Sequence, residues 1–332
     1  MKQVGLIGYP VAHSRSPQMH NAAFQALAID ARYELWETPP EQLEESIASL
    51  RSPDMLGANI TIPYKEQVVS LLDECDALAT RIGAVNTIVN RDGRLVGYNT
   101  DAPGFIRALA ECPGHPFDSS GKQAVILGTG GAARAAGVAL IEHGAASMSI
   151  LGRNMAHIDS LLNHLRMLTP VGAQFIAPSS SRIDNDGPSK IDGVYGDARR
   201  ATQASPPRIH TAPAPTEYPQ FIFGAVKGAL LDSPEAKVYL QAADLVVNAT
   251  SVGLKSDDTT LLMNVSLLPV GSLVMDMVFN AGFTPLLRAA QARGCFVFNG
   301  LSMLLYQGTL AFELWTGRDA PVEIMRTALG IV

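Results

Sequence analysis

The chain has 332 residues, enough for about two domains, and its 47% hydrophobic and 17% charged content describes a soluble globular protein with ample core. A net charge of −6 argues against a nucleic-acid surface, and no apolar run reaches the roughly 18 residues of a membrane span. Cys75, Cys112 and Cys295 are too scattered for a disulfide framework or a zinc site and fit a reducing cytoplasm.

The N-terminus, MKQVGLIGYP, has too short an apolar run for a signal peptide and reads as a first strand, Val4–Gly8. Ser16 and Pro17 look like the N-cap and first residue of a helix running to about Leu27. Tyr33–Glu37 is a strand and Pro40–Leu50 a helix with an acidic first turn. Ala58–Ile62 is a strand and Lys65–Asp73 a helix. Val85–Val89 and Arg94–Gly97 form a hairpin around Asn90-Arg91-Asp92-Gly93. Thr100 or Asp101 then caps a helix to about Glu111.

Ala124–Leu127 is a short apolar run that enters Gly128-Thr129-Gly130-Gly131 and an alanine-rich helix. This is the pattern of a buried parallel strand turning into its crossover. Gly128, Gly130 and Ala133 match the G-x-G-x-x-G/A spacing of dinucleotide-binding turns. Gly128 permits the tight turn, Gly130 lets a pyrophosphate approach the backbone, and Ala133 lets helix and strand pack closely. The helix N-terminus offers free N–H groups to the phosphates. After the next apolar run, Ser147–Leu151, a NAD site would place an acidic residue for the ribose. Here Gly152-Arg153-Asn154 follows, and an arginine fork suits a 2′-phosphate, which favours NADP.

From Pro178 to Pro219 the chain holds seven prolines of its 21, many Ser and Asp residues and little apolar periodicity. Such a stretch reads as a long, mostly irregular insertion. Strands resume at Asp244–Asn248 and Ser272–Met277. Thr284-Pro285 caps a helix that Gly294 ends, and Cys295–Phe298 is the last strand. Helices over Ser302–Thr316 and about Val322–Leu329 close the chain, and no internal repeat is visible.

Several polar residues stand out. Ser14 and Ser16 alternate, so their hydroxyls can converge on a carboxylate, although for the serines alone a helix cap at Ser16 and a surface Ser14 is the better reading. Asn59 and Thr61 alternate with Ile60 and Ile62, which makes one face of a strand polar, and Lys65 follows at its tip. Loops after strand ends are where α/β sheets carry their sites. Asn86, Asn99, Thr100 and Asp101 form a further polar cluster. Gln307 is polar on the apolar stripe Met303–Leu310–Leu314 and needs a partner there.

Together these residues resemble the shikimate dehydrogenase family over nearly the whole chain except the insertion. The motifs are Ser14-x-Ser16-Pro17, Asn59-Ile-Thr61-x-Pro63-x-Lys65, Gly83-Ala84-Val85-Asn86-Thr87, Asn99-Thr100-Asp101, Gly128-x-Gly130-Gly131-Ala132, Asn248-Ala249-Thr250 and Gln307. The resemblance implies reduction of 3-dehydroshikimate to shikimate with NADPH. It implies an α/β fold with a substrate domain over residues 1–102. A Rossmann-type parallel-sheet nucleotide domain would follow over 103–298, interrupted at about 178–219. C-terminal helices over 299–332 would return to the first domain, with a cleft between the domains.

By the same resemblance Ser14 and Ser16 hold the substrate carboxylate, and Asn59, Thr61, Lys65, Asn86, Asp101 and Gln307 the ring, with Lys65 and Asp101 as the catalytic pair. Gly128, Thr129, Gly130, Gly131, Ala132, Arg153, Asn154, Thr250, Val278 and Gly300 fall to the cofactor. The chemistry agrees: an ammonium at Lys65 can stabilise charge developing on a ketone oxygen and supply a proton. No metal-ligand cluster is visible. Phe279 departs from the tyrosine usual in the family's D-x-V-Y-N-P segment, Ser302 from glycine, and His157 from a second basic residue. These keep open a quinate/shikimate-type paralogue using NAD or NADP. A non-catalytic NADP-binding sensor would keep the glycine turn but would not assemble Lys65, Asp101, Asn86 and Gln307. The expected partner is a small-molecule substrate, with no nucleic acid or membrane, in a cytoplasmic monomer or homodimer.

Overall fold

The computed structural model describes residues 1–168, 225–255, 257–278 and 282–331. The expected insertion at 178–219 and Phe279 lie outside the described residues.

The first sheet is built from β1 (Lys2–Gly8), β2 (Ala31–Glu37), β3 (Met55–Ile60), β4 (Glu74–Cys75), β5 (Thr87–Arg91) and β6 (Arg94–Tyr98). Its order is β2-β1-β3-β5-β6-β4. β1 is parallel to β2 and β3, while β5 and β6 form an antiparallel hairpin. Asp92 and Gly93 at the hairpin tip take φ of 53° and 88°, the left-handed pair that a two-residue turn requires. Helices α1 (Ser16–Ala26), α2 (Leu43–Ser49) and α3 (Ala77–Ile82) cover this sheet.

α4 (Asp101–Ala110) leads to the second sheet: β7 (Gln123–Leu127), β8 (Ser147–Gly152), β9 (Val226–Leu230), β10 (Leu245–Asn248), β11 (Leu273–Asp276) and β12 (Phe296–Phe298). All its pairings are parallel, in the order β12-β11-β10-β7-β8-β9. Crossovers run through α5 (Gly131–Glu142), α6 (Met155–Leu168), α7 (Pro234–Gln241) and α8 (Pro285–Arg293). This is the order of dinucleotide-binding sheets, with its switch point between β7 and β10. Crevices at such points open beyond the carboxyl ends of the strands.

Side-chain alternation explains how both sheets bury two faces. On β7, Ala124 and Ile126 join a core shared with Val4, Leu6, Phe105 and Phe312, whereas Val125 and Leu127 pack with Val246 and Leu286 on the opposite face. The outer face of the first sheet holds Ile7, Ile60 and Ile88, which share a core with Ile47 of α2. The last helices, α9 (Leu301–Thr316) and α10 (Val322–Ala328), lie against the first sheet's helices. Trp315 Nε1 donates to Ile88 O at 2.9 Å and Arg318 Nη1 to Leu27 O at 2.9 Å. α9 passes α4 so closely that a Cβ on Gly104 would lie 2.7 Å from the Gln307 backbone nitrogen. Only glycine allows that approach, which sets Gln307 beside the start of α4.

Three local expectations are corrected. Ser16 is the first helical residue and makes no cap bond; its hydroxyl turns to Ser14 instead. α4 is capped by Asn99, whose Oδ1 accepts from Asp101 N at 3.1 Å and Ala102 N at 3.2 Å, so the Asp101 carboxylate is free for other work. Residues 65–73 do not form a helix but a 3-10 turn, Gln67–Leu71. Lys65 O, which a helix would give to an amide four residues on, accepts instead from Val85 N at 2.7 Å. β4, α3, α6, β9 and α7 were not expected. The α6 stripe Ile158, Leu161, Leu162 and Leu165 carried the signal for one of them.

Candidate active site

A cavity of about 510 Å³ opens between the two sheets, above the switch point. One wall comes from the first sheet and its loops: Ser14, Ser16, Asn59, Thr61, Lys65, Asn86 and Asp101. Gln307 and Gly300 enter from α9 and the residue before it. The other wall is Gly130, Gly131 and Ala132 after β7, Thr250 after β10 and Val278 after β11. Gly128, Thr129, Arg153 and Asn154 do not line it. Arg153 and Asn154 are exposed at the end of β8, outside the cavity.

The catalytic-pair candidates meet. Lys65 Nζ lies 2.7 Å from Asp101 Oδ2, with side chains 16% and 7% exposed. The other carboxylate oxygen, Oδ1, accepts from Asn86 Nδ2 at 2.9 Å. The Asn86 amide also reaches Thr100 Oγ1 at 2.9 Å and Gln307 Oε1 at 3.3 Å, and its Oδ1 accepts from Thr100 N at 2.7 Å. Gln307 Nε2 donates to Leu304 O at 2.8 Å. The polar residue on an apolar stripe therefore has protein partners, and it also lines the cavity.

Asn59 is placed differently from a simple ring contact. Its Nδ2 donates to Asn86 O and Thr87 Oγ1, both at 3.1 Å, and its Oδ1 accepts from Tyr33 Oη at 2.8 Å. Both amide hydrogens are used inside the protein, which leaves acceptor capacity only. Ser14 Oγ donates to Ser16 Oγ at 3.2 Å, so the two hydroxyls converge. Tyr33, which sequence reasoning missed, underlies both groups: its hydroxyl bonds Asn59 and also Ser16, and burial raises its pKa. His20 stacks on the Tyr33 ring at 4.5 Å. The imidazole is fully buried with neither ring nitrogen partnered among the described residues, and burial lowers its pKa to about 3.

On the second sheet's side the donor set is backbone. Gly128 takes φ 116°, and a Cβ there would lie 3.0 Å from Ala249 O. The space a Gly130 Cβ would take is empty within 4 Å, so the start of α5 is open to a ligand. Asn154 Oδ1 accepts from Ala156 N at 2.9 Å and caps the start of α6, while the Arg153 side chain stays exposed beside it. These groups fit a phosphorylated dinucleotide: unshielded amides for the pyrophosphate and, beyond β8, a guanidinium that is exposed among the described residues. The loops after β10 and β11 are tied together by Asp276. Its Oδ1 accepts from Asn248 Nδ2 at 2.9 Å and Val278 N at 3.1 Å, and its Oδ2 from Thr284 Oγ1 at 2.7 Å. Burial outweighs these bonds and pushes the carboxyl up to about 6.

A dinucleotide-type parallel sheet facing a buried lysine–carboxylate pair defines an α/β oxidoreductase. Residues 6–88 match the shikimate dehydrogenase substrate binding domain and residues 300–329 the shikimate 5′-dehydrogenase C-terminal domain. The shikimate dehydrogenase (NADP(+)) of Symbiobacterium thermophilum is 39% identical over 98% of this chain and 92% of its own length. The Thermus thermophilus shikimate 5-dehydrogenase, solved with NADP(H) and shikimate, superposes with a TM-score of 0.73 at 31% identity, covering 99% of both chains. The Listeria monocytogenes enzyme, solved with shikimate and NAD, gives 0.74 at 28% identity over 98% of this chain and 96% of its own. The chain belongs to the shikimate dehydrogenase family. Among the described residues, no helix is long and apolar enough to cross a membrane.

Proposed function

We propose that this protein interconverts 3-dehydroshikimate and shikimate with NADP, in a cleft between a substrate domain (residues 1–102) and a nucleotide domain (residues 103–298), with residues 299–332 packed back on the first. The observation that carries this reading is the Lys65–Asp101–Asn86–Gln307 network standing opposite the glycine turn. Bound NADPH supplies the hydride to the ketone carbon.

The chain's own residues do the rest. Ser14 and Ser16 hold the substrate carboxylate with neutral donors. Thr61, Asp101 and Gln307 face the ring hydroxyls, and Asn59 adds an acceptor while bracing Asn86. As the carbonyl oxygen gains charge, the Lys65 ammonium stabilises it and gives it a proton. Asp101 holds Lys65 by one carboxylate oxygen and is itself held by Asn86 through the other, so the proton donor is oriented before substrate arrives. Gly130, Gly131 and Ala132 receive the pyrophosphate on backbone amides, with Gly128 and Thr129 shaping that turn. Arg153 takes the 2′-phosphate beside Asn154, and Thr250, Val278 and Gly300 bound the nicotinamide end.

The test is an absorbance assay of NADP or NAD reduction with shikimate and with quinate. Turnover of shikimate with NADP, at a kcat/KM well above the other three combinations, is the expected result. A preference for quinate, or no turnover, would overturn it.

A further inference from the structure

α5 carries the glycine turn at its N-terminus, and it is bound to the first sheet's side at two points. In its first turn, Arg134 Nε lies 3.0 Å from Glu66 Oε2, the residue after Lys65. In its last turn, Glu142 Oε1 lies 2.9 Å from Arg81 Nη1 of α3. At the start of α5, just before Arg134, a Cβ on Gly131 would lie 3.0 Å from Lys65 Cβ and 3.2 Å from its Cδ. The alkyl chain of Lys65 therefore rests on the glycine turn itself.

An exposed ion pair commonly contributes little. This one is asymmetric: the Arg134 side chain is only 12% exposed, against 43% for Glu66. Its Nε proton has no aligned acceptor among the described residues, so charge attraction rather than a well-formed hydrogen bond holds the pair. A buried guanidinium costs desolvation, and a residue placed next to the proton donor offsets that cost with a carboxylate. The arrangement is explained if the distance between turn and lysine matters to the reaction.

We propose that Glu66 and Arg134 form a latch that holds the glycine turn at a set distance from Lys65, with Arg81–Glu142 as its second point, so that hydride and proton reach the same carbonyl in register. This makes Glu66 and Arg134 positioning residues, and it rests on the function proposed above. The latch should act on turnover and leave binding of each ligand alone nearly intact.

The experiment compares wild type, Glu66→Gln, Arg134→Met, the double variant and the charge-swapped Glu66→Arg/Arg134→Glu. Each single variant should lower kcat for shikimate oxidation roughly tenfold, because small misplacements of reacting groups cost rate steeply. Calorimetric Kd values for shikimate and for NADP should stay within about twofold, since each ligand binds its own side. The double variant should be no worse than the worse single, and the swap should recover activity. Amide hydrogen exchange gives a readout independent of turnover: the amide of residue 134, which donates to Gly130 O, and that of Val85, which donates to Lys65 O, should exchange faster in both singles. Unchanged kcat and exchange in the singles, additive losses, or a swap worse than either single would overturn the latch. The last outcome would mean that Glu66 acts on Lys65 by its charge alone. A wild type that does not oxidise shikimate overturns the proposed function instead, and the exchange result then decides the latch by itself.

Discussion

On one side of the cleft, Asn59, Asn86, Asp101 and Gln307 are buried and bonded to one another. On the other, Gly130 and Arg153 are exposed, and among the described residues no side chain caps the amides at the start of α5. The substrate side arrives assembled, with its orientation set by folding. The cofactor side offers backbone amides and an exposed cation that a ligand must complete. Substitutions on the first side should therefore fall on kcat, and those on the second on cofactor binding.

The sharpest way to break this contrast is Lys65→Ala. It should lower kcat by on the order of 10²–10³, as loss of one electrostatic donor to a developing oxyanion does, while shikimate affinity changes little. A matching loss of affinity would make Lys65 a binding residue and blur the two sides.

Arg153→Ala probes the other side. A charge-assisted phosphate contact is worth roughly 1.5–3 kcal/mol, so KM for NADP should rise by about tenfold or more with kcat nearly unchanged. NAD kinetics should not move. Equal losses with both cofactors would assign Arg153 a structural role.

The smallest effect concerns buried titrating groups, one beneath each side. Asp276 is raised from 3.8 to about 6 by burial, so the folded protein binds this proton more tightly than the unfolded chain. Its stabilising contribution is present below about pH 4 and lost as pH rises through about 6, by at most ~3 kcal/mol. His20 runs the other way: lowered from 6.5 to about 3, it stabilises above pH 6.5, and that stability is lost as pH falls toward 3. The two oppose each other, so each is read as a variant's difference from wild type. Relative to wild type, Asp276→Asn should gain Tm as pH rises from about 4.5 to about 7, and His20→Leu should gain Tm as pH falls over the same span. Parallel Tm–pH curves would contradict both assignments.

The same contrast governs what could be read before the structure. The glycine turn is written in local spacing: Gly128, Gly130 and Ala133 follow one strand, so period and glycine placement find it, and Arg153 follows the next strand. The substrate side is written across the chain. Asn86 meets Gln307 from 221 residues away, and only the close passage at Gly104 brings them together. Lys65, Asp101 and Asn86 could be singled out by residue type at strand ends, but not their bonds. Tyr33 is invisible because an aromatic in a strand reads as core, and its hydroxyl acts on Asn59 two strands away and on Ser16 of α1. The turn after Lys65 has the local pattern of a helix, but its backbone is claimed by Val85, a partner no local pattern reveals.

The central claim is that Lys65 and Asp101 act as one unit, oriented from the substrate side before the cofactor arrives. The measurement is a kinetic double-mutant cycle on shikimate oxidation with Lys65→Ala, Asp101→Ala and both together, with calorimetric shikimate binding alongside. Groups acting as a unit are not additive, so the double variant should be within a fewfold of Lys65→Ala, with both singles slow. Losses in kcat that multiply across the cycle would mean two independent contributions and contradict the account.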